Sequence, residues 1–102
     1  MMRHIAIAQA SDADVLIKKG ECVYGGAVIF AAAQADTLLK VYDAASVATV
    51  ADSRLVDIIG HDASLEGNNS TKTGIGGEST KCTLGLVAVI TGDDGLAVVK
   101  FK

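Results

Sequence analysis

The chain has 102 residues, half of them hydrophobic and 21% charged, with a formal net charge of −3. That length and composition make a single folded domain spanning 1–102 and exclude a disordered chain. An acidic balance with no basic run excludes the phosphate neutralisation on which nucleic-acid binding depends.

At the start, Met-Met-Arg-His-Ile-Ala-Ile-Ala-Gln-Ala carries an apolar patch shorter than the ~7–15 residues of a secretory leader, so no secretory route is expected. His4–Ala8 reads as a first strand and Ser11–Asp14 as a polar turn. Val15-Leu16-Ile17, closed by Lys18-Lys19-Gly20, reads as an edge strand whose lysines are solvated and discourage pairing with other chains.

Gly20–Asp43 holds two apolar runs rich in β-branched and aromatic residues, parted by Gln34–Asp36, and this pattern predicts an antiparallel hairpin. In its first strand Cys22, Tyr24, Gly26, Val28 and Phe30 fall on one side, with Val23, Gly25, Ala27, Ile29 and Ala31 on the other. Both rows are apolar. Each face is therefore expected to be covered, by the rest of the fold or by another copy of the chain. The run Cys22–Ala33 is also too short, and too interrupted by glycine, for the ~20 residues of a membrane helix.

Ala44–Asp57 has a helical composition in places and Ala31–Val50 contains enough alanine to pass as helix, but Thr, Val and Tyr recur there and favour a loop leading into a strand over Arg54–Gly60. Residues 61–81 turn polar and glycine-rich, which predicts one long flexible Gly/Asn-rich loop, either a plain surface loop or an arm draped over a neighbouring subunit. Gly74-Ile75-Gly76-Gly77 lacks the lysine and the strand-to-helix setting of a phosphate cradle. Cys82–Ile90, the turn residues Thr91–Gly95 and the run Leu96–Lys102 predict a second hairpin. Short strands parted by turns give an all-β fold, a small antiparallel β-sandwich of Ig-like or jelly-roll-like kind.

Reactive groups are few. Cys22 and Cys82 form no C-x-x-C pair and meet only if their strands are neighbours; otherwise they are two buried thiols. As nucleophiles they need His4 or His61 beside them, and apolar strand beginnings raise a thiol pKa rather than lower it. His61-Asp62 with Asp57 matches no metal-ligand spacing, and Asp93-Asp94 belongs to a turn. No catalytic, cofactor-binding or metal-binding residue is expected, and no enzyme.

Taken together, Gly20-Glu21-Cys22-Val23-Tyr24-Gly25-Gly26, Leu39-Lys40-Val41-Tyr42-Asp43-Ala44-Ala45-Ser46, Leu84-Gly85-Leu86 and Thr91-Gly92 before a terminal Val-Val-Lys-Phe strand resemble a family of small β-sandwich proteins of tailed-bacteriophage virions. The resemblance runs from Lys19 to Lys102, with Ser64–Thr80 departing from the pattern. It implies a capsid decoration, or cement, protein that binds the assembled major capsid protein or another virion protein. A tail or neck component and a receptor-binding fibre knob are the alternatives. The implied place is the capsid surface of a virion, after synthesis in the host cytoplasm. A homo-oligomer, with a trimer favoured, and no nucleic acid, membrane or cofactor complete the expectation. Candidate protein contacts are Tyr24, Phe30, Tyr42, Asn68, Asn69 and Ile75. Against a sugar-binding module stands the absence of Trp, with aromatic residues only 4% of the chain.

Overall fold

Alternating apolar and polar residues, with β-branched side chains throughout, extend into nine strands in the computed structural model, which describes residues 3–9, 13–31, 37–61, 70–73, 80–92 and 95–102. They are β1 (Arg3–Gln9), β2 (Ala13–Lys19), β3 (Cys22–Ala31), β4 (Thr37–Tyr42), β5 (Leu55–His61), β6 (Ser70–Thr73), β7 (Thr80–Cys82), β8 (Gly85–Gly92) and β9 (Gly95–Phe101). Two antiparallel sheets result. The first has the order β1-β9-β3-β6, with β7 on the same side of β3 as β6 but nearer its start; the second has the order β2-β8-β4-β5. The chain is an all-β sandwich.

The two sheets bury one core between them. Cys22, Tyr24, Ala27, Ile29, Cys82, Ala97 and Val99 enter it from the first sheet; Leu39, Val41, Ile59, Leu86, Ala88 and Ile90 enter it from the second. Each large aliphatic side chain so buried stabilises the fold by roughly 1.5–3 kcal/mol. Val15 and Ile17 close the side at β2, an edge strand whose Lys18 and Lys19 are exposed as the sequence suggests.

Neither expected hairpin forms. β3 lies in the first sheet and β4 in the second, so Gly20–Asp43 crosses the sandwich instead of folding back beside itself. β8 and β9 are likewise split between the sheets. Turn residues fix where a chain reverses but not the axis about which it does so, and here reversal across the core gives β3, β4, β8 and β9 partners distant in sequence. Among the described strands only β4 and β5 pair as chain neighbours, joined by the 43–54 segment. That segment carries two short 3₁₀ turns, Val47–Thr49 and Asp52–Arg54, and then β5, so the loop-and-strand reading holds over the helix.

Three further expectations change. The alternation along β3 breaks at Gly25-Gly26, where the register against β9 shifts between Tyr24 and Ala27. Gly26 takes a φ of 102°, a conformation glycine adopts without a side-chain penalty. Inward residues are thus Cys22 and Tyr24 before this bulge, and Ala27 and Ile29 after it. The 61–81 region is not one loop, since β6 pairs with Val28–Ala31 and β7 with Cys22–Tyr24. The run Cys82–Ile90 divides at Thr83-Leu84, where the chain passes from the first sheet to the second.

Candidate functional site

The two outer faces of the sandwich are treated differently. On the second sheet, Leu16, Val87, Tyr42 and Leu55 stand in one row across β2, β8, β4 and β5. The 43–54 segment returns over this row: Tyr42, Ala44 and Val87 are buried together, with Val50 and Val89 packed on them. The chain therefore roofs the centre of that face with its own residues.

On the first sheet, Ala6, Val98, Val28 and Thr73 stand in one row across β1, β9, β3 and β6. Leu96 lies two residues along β9 on the same side as Val98, its main chain in register with that of Phe30. Val28, Leu96 and Val98 are half-buried and Ala6 is exposed, and none of them belongs to either core cluster. Among the described residues no segment equivalent to 43–54 packs over them. This apolar strip is the candidate interaction face, bordered at one end by the exposed Lys100.

Inside the molecule, polar groups tie the sheets together. The Tyr24 hydroxyl donates to Asp57 Oδ2 at 2.6 Å across the core, and the Ile58 N–H donates to Asp57 Oδ1 at 2.8 Å. Burial pushes the Tyr24 hydroxyl pKa far up, reinforced by its hydrogen bond to Asp57 and by that residue's charge. Asp43, just past β4, accepts from the N–H groups of Thr83, Leu84 and Gly85 at 3.1, 2.8 and 3.3 Å. Burial alone raises the Asp43 pKa, but these three donors, helped by the Arg54 charge, outweigh it and hold the carboxyl below its ordinary value. Its function is to fix the crossing from β7 to β8.

The cysteines also meet. Cys22 and Cys82 stand opposite one another on β3 and β7, both buried, both free thiols. Burial raises both, Cys82 to about 12 with the charges of Cys22 and Asp43 adding to the effect; the hydrogen bond from Cys82 opposes the rise at Cys22. Such thiols are poor nucleophiles. Among the described residues no group of three or more His, Cys, Asp and Glu side chains could hold a metal ion.

One open cleft of about 300 Å³ lies at the end of the sandwich where β1, β2 and β9 approach, lined by Arg3, Lys18, Glu21, Phe101 and Lys102. Three cations from separate parts of the chain converge there. No reading of the linear sequence brings them together, because β1 and β9 pair from opposite ends of the chain.

Of the contact residues drawn from the sequence, Tyr24 is fully buried and Tyr42 is 6% exposed. Both are core residues, with no surface to offer a partner. The Phe30 side chain and Asn68, Asn69 and Ile75 lie outside the described residues. Val28, Leu96 and Val98 were missed, although the period-two apolar pattern of Leu96–Lys102 carried the signal for the last two. No family model, curated protein or solved structure matches this chain.

Proposed function

We propose that the protein is a structural component of a tailed-bacteriophage virion, a capsid decoration protein that binds the assembled major capsid protein and stiffens the head. The observation carrying this reading is the apolar strip of Val28, Leu96 and Val98 on the first sheet, set against a second sheet where the chain roofs Tyr42 and Val87 at the centre of the outer apolar row and leaves Leu16 and Leu55 exposed at its ends. Apolar side chains on a sheet face stabilise a complex when a neighbour removes them from water. Contact repeated over a symmetric lattice, or within a homo-oligomer such as a trimer, multiplies a weak single contact without new chemistry.

The test adds the purified protein to phage heads lacking their decoration protein. Co-sedimentation at a fixed ratio to the major capsid protein, with heads that survive hotter treatment, is the expected result; heads that neither bind it nor gain heat resistance would rule the assignment out. The cleft of Arg3, Lys18 and Lys102 beside Phe101 favours a second reading, a receptor-binding knob for acidic sugars. Binding to sialylated or sulfated glycans on an array, without head binding, would select it.

A further inference from the structure

We propose that Cys22 and Cys82 are a modification site: on oxidation they form one intramolecular disulfide that staples β7 to β3. The register places them directly opposite each other. Val23 exchanges both main-chain hydrogen bonds with Lys102, so its neighbours Cys22 and Tyr24 direct their main-chain groups to the other side, toward β7. A hydrogen-bonded antiparallel pair of this kind holds its Cα atoms about 5.5 Å apart, inside the ~4.4–6.8 Å range that disulfides span. Both side chains point into the core, and the thiols are within hydrogen-bonding reach of each other. The chain has no third cysteine to compete.

Burial does not block the reaction, because β7 is only three residues long and pairs with β3 alone among the described strands. A short peripheral strand opens locally while the rest of the sandwich stays folded. In the closed form both thiols are protonated at neutral pH, so exchange proceeds through this opening. The co-reactant is a small-molecule disulfide such as oxidised glutathione. The opened Cys82 thiol loses its proton and attacks one glutathione sulfur, breaking the S–S bond and releasing one glutathione thiolate. The Cys22 thiol then loses its proton and attacks the Cys82 sulfur of the mixed disulfide, releasing the second glutathione. Two protein thiols give up two electrons and two protons; one oxidised glutathione becomes two thiols.

The reduced full chain is equilibrated with graded mixtures of reduced and oxidised glutathione, and intact mass and thermal unfolding are recorded. The expected product is a monomer lighter by about 2 Da, reverted by dithiothreitol. Its Tm lies on the order of 10 °C above that of the reduced form. In Cys22→Ser the reaction stops at a stable glutathione adduct on Cys82. Persistent glutathione adducts on the wild-type chain, disulfide-linked dimers as the main product, an unchanged mass after equilibration, or an oxidised form that melts no higher would each overturn the assignment.

Discussion

Tyr24 and Asp57 place a hydroxyl and a carboxylate inside a largely apolar core, and their 2.6 Å bond joins the two sheets. Tyr24→Phe keeps the ring but deletes the donor to a buried carboxylate oxygen, an arrangement whose loss costs about 1–3 kcal/mol. The lower urea midpoint of the variant at pH 7 checks this. Alkali tests the same group with a defined sign. The unfolded hydroxyl ionises at 10.0 and the unfolded thiols at 9.0, while the folded values of Tyr24, Cys22 and Cys82 are all higher. The native state therefore holds protons that the unfolded chain releases, so stability is complete below pH 9 and falls as pH rises. Replacing both cysteines by alanine is expected to move the onset of that fall toward pH 10, and adding Tyr24→Phe to flatten it further; urea midpoints measured from pH 8 upward distinguish the three proteins. Asp43 works in the opposite direction. Its folded pKa is depressed, so its contribution is complete above the unfolded value of 3.8 and is lost as pH drops through the lower folded value. Asp43→Asn should cost about 1–2 kcal/mol at pH 7, from weakened bonds to the Thr83, Leu84 and Gly85 amides. The gap from wild type should shrink in melts taken at or below about pH 3.8; a constant gap would count against the carboxylate as the cause.

Two glycines decide how the elements meet, and they do so for different reasons. At Gly85 a Cβ would stand 2.4 Å from the Ala44 carbonyl oxygen and 2.6 Å from that of Lys18, at a φ of 153°. Main chain on both sides cannot give way, so Gly85→Ala should fail to fold or lose well over about 3 kcal/mol. At Gly26 no atom lies within 4 Å of the added Cβ, and only the φ of 102° resists. Gly26→Ala should cost about 1–2 kcal/mol and leave the sandwich intact, a difference that paired thermal melts would display. These positions also mark where the sequence could and could not be read. The strands around them were legible because Val, Ile, Leu and Tyr alternate through extended runs. The bulge was not, because Gly25-Gly26 sits inside an apolar run and an alternation count carries straight through it. A single extra residue there puts Ala27 rather than Val28 on the inward side with Cys22 and Tyr24, so Val28 joins Leu96 and Val98 on the outer strip. β6 was hidden in the same way, since Ser70–Thr73 has no apolar residue and becomes a strand only by bonding to the edge of β3.

At the scale of the whole molecule, the all-β class followed from composition and turn chemistry, whereas the connections did not. Pairing β1 with β9 and crossing the core between β3 and β4 depend on contacts between distant parts of the chain, which no local motif encodes. The same connectivity leaves the two faces unequal. The 43–54 segment joins β4 to β5 and can roof the second sheet; the first sheet has no hairpin of that kind among the described strands. If a neighbouring subunit covers the first sheet instead, a charge placed there must oppose assembly while sparing the fold. Val98 is the position to change, because it is half-buried at the centre of the strip with Val28 opposite on β3 and Ala6 opposite on β1. Val98→Lys gives up two cross-strand pairs, each about 0.2–1 kcal/mol, and its long stem lets the ammonium reach water in the isolated chain. In a complex that ammonium is desolvated without a partner, and binding to undecorated heads should weaken at least about tenfold in co-sedimentation. Ile58→Lys supplies the control: Ile58 is 37% exposed on the outer face of the second sheet, so the same charge there should leave binding unchanged. Equal binding by Val98→Lys and wild type, or loss confined to Ile58→Lys, would move the interface off the first sheet.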